Sequence, residues 1–212
     1  MTDPLLTSAP AGAPLAGDER LLDAARWALW QTLARGIAHA LANAAQLLTL
    51  DPPPAALLAQ ARARVSRAHA LVALAVRPAD GPASFLPAVL ADFDALQQLQ
   101  AGLPAAAVET DVEDPLPMTA IPEADLLHAL LLVTTRLKEA SEAALALQVR
   151  AVRDGAHVRV DLTAAAAGPA DAPSATPNPL LLEAAAVLLA RAGGALAESD
   201  RGWELRLPVL AR

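Results

Sequence analysis

The stretch LLTLDPPPAALL, residues 47–58, decides the fold, because it stops one long helix and starts another. Proline removes a donor from the helical ladder and pushes the residue before it out of helical geometry, so Asp51-Pro52-Pro53-Pro54 forces a tight reversal. Upstream, no proline occurs from Asp18 to Leu50. There Trp30, Leu33, Ile37, Leu41, Ala44 and Leu48 recur at steps of three or four, one stripe of an α-helix. Downstream, a second helix runs from about Ala55 to Arg77, with Leu57, Leu58, Ala61, Val65, Ala68, Leu71, Val72 and Ala75 on its apolar side. Two such helices joined by so short a turn form an antiparallel hairpin, and a lone hairpin leaves half its apolar surface wet. Pairing two hairpins into a four-helix bundle covers it, which predicts a homodimer.

Composition agrees with a helix-rich chain that can bury a core. Of 212 residues 55% are hydrophobic but only 2% aromatic, so Leu, Val and Ala must fill the interior. A net charge of -7 offers no basic field for phosphates, which argues against nucleic acid as a partner. The absence of cysteine excludes disulfides, thiol catalysis and thiolate metal sites. Residues 1–17 lack a basic start and a continuous apolar block and read as a disordered tail. No later run is long and apolar enough for a membrane span, so a cytoplasmic protein is expected.

Beyond the Pro-Ala-Asp-Gly-Pro linker at 78–82 the pattern changes to shorter mixed elements, placing a hairpin domain at 18–80 and a second domain at 81–212. Helices are expected over 84–101 and 123–144. Leu145 to Ala151 alternates, Asp154-Gly155 turns the chain, and Val158, Val160 and Leu162 alternate again, a β-hairpin. Residues 164–179 read as loop, LLLEAAAVLLARAGG from 180 as a helix ended by glycine, and 195–198 with 203–207 as a closing hairpin. The fold class expected is α+β: a long helical hairpin followed by helices on one sheet.

At about 100° per residue, His39 lies roughly 160° from the apolar stripe of the first helix and points outward. Thr32, Arg35, Asn43 and Gln46 fall on the same side. An exposed imidazole can attack a phosphoryl group, and Asn43, one turn on, can orient the incoming group. The same position equally suits a solvated side chain. His69, His128 and His157 lie in separate elements with no ligand spacing, and Asp92, Asp94, Glu109, Asp111, Glu113 and Asp114 read as a solvated edge, so no metal site is expected. Phosphate-loop, dinucleotide and nucleophile-elbow motifs are absent.

From residue 20 to 210 the order of elements resembles the catalytic core of bacterial sensor histidine kinases. LARGIAHALANAAQLL, 33–48, is similar to that family's phosphoacceptor box, and LVALAVR, 71–77, to the end of its second bundle helix. SFLPAVLADFDAL, 84–96, is similar to the opening of its ATP-binding domain, LLHALLLVTTRLKEAS, 126–141, to its asparagine-box helix, and GGAL, 193–196, with GWELRLPV, 202–209, to its closing turn and strand. The resemblance also marks what is missing. The two asparagines fall on Leu132 and Arg136, the adenine-reading aspartate on Ala164 with only Gly168 retained after it, the phosphate-loop glycines on Pro179 and Leu181, and the acid after the histidine on Ala40. It therefore implies no ATP and no cofactor, with magnesium entering only through a partner receiver domain, and a space over the sheet filled by Leu, Val and Arg136. What it implies in function is a kinase-derived histidine phosphotransferase with His39 and Asn43 reacting, and Arg35, Thr32 and Gln46 meeting a response-regulator receiver domain. The alternative is a non-catalytic pseudokinase scaffold or adaptor dimer.

Overall fold

The computed structural model describes residues 16–49, 54–75, 81–100, 103, 106–141, 143–166, 178–200 and 202–211. Most of the expected tail, the Asp51-Pro52-Pro53 stop, most of the 78–82 linker and most of the 164–179 loop, with Gly168, lie outside the described residues. Helix α1 spans Ala16–Leu48 and helix α2 Ala55–Ala75, and the two pack along each other. Helix α3 (Leu86–Gln97), strand β1 (Ala106–Val112), helix α4 (Glu123–Glu139), strands β2 (Leu145–Asp154) and β3 (His157–Ala166), helix α5 (Leu180–Arg191), and strands β4 (Ala195–Ser199) and β5 (Gly202–Pro208) follow.

Among the described residues the strands form one five-stranded sheet in the order β1-β2-β3-β5-β4, with β1 parallel to β2 and the other pairs antiparallel. Alternation decides which face is covered. On β2, Leu145, Leu147, Val149 and Ala151 are buried while Gln148 and Arg150 are exposed. On β3 and β5, Val158, Val160, Leu162, Leu205 and Leu207 are buried on the same side.

Helix α4 lies over that apolar face and is buried around most of its circumference, from Ala124 to Lys138, as a helix covered by neighbours must be. Glu123 and Asp125 in its first turn and Arg136 and Lys138 in its last match the helix dipole. Helix α5 packs beside it and ends in a Schellman motif: Gly194 N–H donates to Leu189 O at 2.9 Å and Gly193 N–H to Ala190 O at 3.0 Å. Gly193 sits at φ 76°, which a side chain would oppose.

The first half of α1 joins this layer. Leu22, Ala25, Leu29 and Leu33 belong to the same buried cluster as α4 and α5, and Arg191 pairs with Glu19 at 2.7 Å. One core thus draws on residues from both sides of position 80.

The structure corrects several boundaries. α3 begins at Leu86, because Ser84 is held in bridge pairing with Thr119, and Pro87 occupies the first turn, where its missing N–H costs nothing. α4 ends at Glu139 rather than 144, since Leu145 is already in β2. β3 extends to Ala166, three residues into the expected loop. Strand β1 was not expected at all. It is an edge strand whose Glu109, Thr110 and Asp111 are exposed, so its apolar content is too thin to signal a strand. The alternation Val108-x-Thr110-x-Val112 is the one local hint of it.

Leu41 and Val65 depart from the expected buried stripes at 41% and 44% exposure. Within one chain the α1–α2 seam is closed by smaller groups, with Ile37, Ala44, Ala61 and Ala68 buried.

Candidate functional site

His39 lies in the second half of α1 and is exposed, with Arg35 and Gln46 also exposed and Thr32 and Asn43 half-buried. The helix that carries them is straightforward to form: alanine and leucine dominate it, and no β-branched run interrupts it. Asn43 Nδ2 stands 3.1 Å from His39 Nε2, the hydrogen bond that a four-residue spacing permits on a helix. An amide nitrogen only donates, so Nε2 is the acceptor. Thr32 Oγ1 donates to Leu29 O at 2.8 Å, which leaves its lone pairs for an outside donor. The five residues chosen from the sequence therefore share a flank of α1, and two of them touch.

Behind this flank the turn that follows α3 presses on α1. A Cβ added at Gly36 would run into the carbonyl of Leu99, so only glycine lets the two backbones come this close. That turn is anchored in turn to α4 by a buried polar cluster that sequence reasoning missed. Gln97 Nε2 donates to Thr134 Oγ1 at 2.5 Å, Gln100 Nε2 to Thr135 Oγ1 at 2.7 Å, and Lys138 Nζ to Gln97 O at 3.3 Å.

All five side chains are at most 5% exposed. Gln97 Oε1 and Gln100 Oε1 are buried without a hydrogen-bond partner. Burial pushes the Lys138 ammonium down from 10.5 to about 8. The signal available in the sequence was polar residues at three- and four-residue steps, Gln97 with Gln100 and Thr134 with Lys138, on otherwise apolar helices.

The positions matched to nucleotide ligands differ in burial. Leu132 is 1% exposed and Leu181 fully buried, both within the core, while Arg136 is half-buried. Gln148, Arg150, Asp161, Thr163 and Ser199 line a cavity of about 730 Å³ on the open face of the sheet, whereas Ala164, paired with the buried Leu147, belongs to the covered face. That open face is polar, and among the described residues it carries ion pairs of Arg150 with Asp111 at 3.6 Å, Arg159 with Asp161 at 3.3 Å and Arg206 with Glu204 at 2.6 Å. The Glu204 hydrogen bond raises the Arg206 guanidinium above its ordinary value. Among the described residues no group of three or more His, Asp or Glu side chains stands close enough to hold a metal ion. Nor is any helix among them long and apolar enough to cross a membrane.

In comparison with solved structures, the chain matches a bacterial phosphotransferase at TM-score 0.52 and 15% identity, over 94% of this chain and all of that one. It also matches the Acinetobacter baumannii histidine kinase AdeS at TM-score 0.47 and 10% identity, over 86% of this chain and 98% of that chain. A histidine kinase from Burkholderia phymatum STM815 matches at TM-score 0.47 and 15% identity, over 94% of this chain and all of that one. No protein-family model matches the sequence, and no curated protein matches it. The phosphotransferase likeness is one of fold, and it spans both the helical hairpin and the sheet domain.

Proposed function

We propose that this chain is a cytoplasmic, histidine-kinase-like phosphotransfer or docking protein of two-component signalling, which receives response-regulator receiver domains on the His39 flank of a dimeric helical hairpin and does not bind ATP. The observation that carries the reading is the exposed His39, hydrogen-bonded through Nε2 to Asn43, on the long helix of a fold that matches a phosphotransferase over 94% of the chain. An imidazole so placed is open to a partner domain and has a lone pair with which to attack phosphorus. Arg35 and Gln46, exposed on either side, supply a cation and an amide for the phosphoryl oxygens and the partner's loops.

Support for a nucleotide-blind sheet domain is chemical. Magnesium demands hard oxygen ligands, and Leu132 and Arg136 provide none. A phosphorylated receiver is expected to label the protein, and His39→Gln is expected to lower that label by more than about a hundredfold, since no other group takes over a lost nucleophile. Equal labelling of the variant would reject the relay.

Dimerisation rests on apolar surface left open in one chain. Trp27 is 63% exposed, and Trp27, Ala34 and Leu41 recur every seven residues on α1, as Leu58, Val65 and Val72 do on α2. That spacing suits a bundle seam, and the alanines allow close helix approach. Leu41→Lys together with Val65→Lys is expected to convert a dimer to a monomer in sedimentation equilibrium, and a dimer that survives both would refute this seam.

A second reading is favoured by Ala40. With no carboxylate beside His39, the hairpin serves as a scaffold that holds a partner without reacting. Partner capture that is unchanged by His39→Gln, with no transfer of phosphate in either protein, is the outcome that reading expects.

A further inference from the structure

We propose that Asn43 sets the tautomer of His39, making Nε2 the nucleophile and leaving the proton on Nδ1 throughout the transfer; this deepens the phosphotransfer reading and rests on it. Asn43 Nδ2 has hydrogens and no lone pair to share, so at 3.1 Å it requires a bare Nε2. A neutral imidazole with a bare Nε2 carries its proton on Nδ1, the form that free histidine adopts less often. Among the described residues this is the one hydrogen bond His39 makes, so nothing else there holds the ring in that form. The residue that follows, Ala40, has no side-chain acceptor to draw the Nδ1 proton away.

The reaction class follows from this arrangement. An acyl phosphate, such as a phosphorylated aspartate on a receiver domain, already has a good leaving group. The Nε2 lone pair attacks phosphorus, the N–P bond forms, and the bond from phosphorus to the acyl oxygen breaks with its electron pair leaving on the carboxylate. No general base is needed, because Nε2 bears no proton to remove. The Asn43 amide, displaced from Nε2 by the new bond, is left within reach of the phosphoryl oxygens. With the Nδ1 proton in place the imidazole is a ready leaving group, so the phosphoryl group can be handed on. An aspartate acceptor then receives it by the same step in reverse, and the ring returns to its starting form.

The tautomer is read without any turnover. In the full chain labelled with ¹⁵N-histidine, long-range ¹H–¹⁵N spectra, assigned with His39→Gln, are expected to show His39 protonated on Nδ1. Asn43→Ala is expected to return it to the Nε2-protonated form that free histidine favours. Phosphoramidate, a small donor that needs no partner, is expected to place phosphate on Nε2. Labelling is expected to slow about fivefold in Asn43→Ala, the equivalent of one lost hydrogen bond. It should slow further in Asn43→Asp, whose carboxylate draws the proton onto Nε2. A wild-type ring protonated on Nε2, or phosphate found on Nδ1, overturns the inference. A ring in the expected form that accepts phosphate from phosphoramidate but not from any phosphorylated receiver leaves the inference standing and defeats the relay.

Discussion

Gly36→Ala is expected to cost about 3 kcal/mol or more of unfolding free energy, although the same change favours a helix almost anywhere else. The reason is the Leu99 carbonyl, into which the new Cβ would run. A backbone carbonyl cannot swing aside as a long side chain does, so α1 must lift from the turn that follows α3. That turn carries the Gln97 and Gln100 hydrogen bonds to Thr134 and Thr135, and the disturbance therefore reaches α4. Gly17, in the first turn of the same helix, has nothing within 4 Å of its would-be Cβ. Gly17→Ala is expected to be neutral or stabilising by up to about 0.5 kcal/mol. Urea unfolding of the two variants side by side separates crowding from helix propensity. Equal effects would show that the close approach at Gly36 does not hold the layers together. If His39 chemistry depends on a firmly seated α1, Gly36→Ala also slows phosphate uptake with His39 intact.

Lys138→Met is expected to make the protein more stable, by about 1–2 kcal/mol at neutral pH, which for a chain of this size is a rise of several degrees in Tm. The ammonium is 1% exposed, and its one hydrogen bond, to Gln97 O at 3.3 Å, does not replace its water. Its placement at the C-terminal end of α3 returns part of the cost through the helix dipole.

The pH dependence follows from the direction of the shift. Below pH 8 the lysine is protonated in both folded and unfolded chains, and the folded state bears the full penalty of the buried charge. From about 8 to 10.5 the folded chain has shed its proton while the unfolded chain still binds one, so stability rises with pH across that window and levels off above it. A depression of that size corresponds to about 3 kcal/mol. Thermal melts from pH 7 to 10.5 should show the rise in the wild type and its flattening in Lys138→Met. A destabilised variant that keeps the same pH slope would mean that the ammonium is better solvated than its burial indicates.

Much of this was legible in the chain itself wherever a physical rule acts over a few neighbouring residues. The proline run at 52–54 announces a break because proline removes ladder donors, and α1 ends at Leu48 ahead of it while α2 begins at Ala55. The alternation at 145–151 and 158–162 makes a hairpin with one apolar face. The step of four from His39 to Asn43 puts both side chains on one flank of a helix, where they meet. Strand β1 escaped notice because its partner, β2, arrives only after α4, and a parallel edge strand with three exposed polar positions has little local apolar pattern to declare it.

Other features depend on groups brought together from distant parts of the chain. Leu29 and Leu33 look from the sequence like hairpin residues, yet they enter the core of the sheet domain. Gln97, Thr134 and Lys138 look like three unrelated polar side chains until α3 lies across α4. The local sequence by itself determined most of the helices and strands, β1 excepted, and that His39 faces outward beside Asn43, because backbone sterics and helical spacing act within a turn or two. Only the tertiary structure decided that α1 is clasped at Gly36, that a lysine is buried behind the histidine flank, and that Leu41 and Val65 are left in need of cover. Packing joins surfaces far apart along the chain, and no local periodicity records which of them will meet.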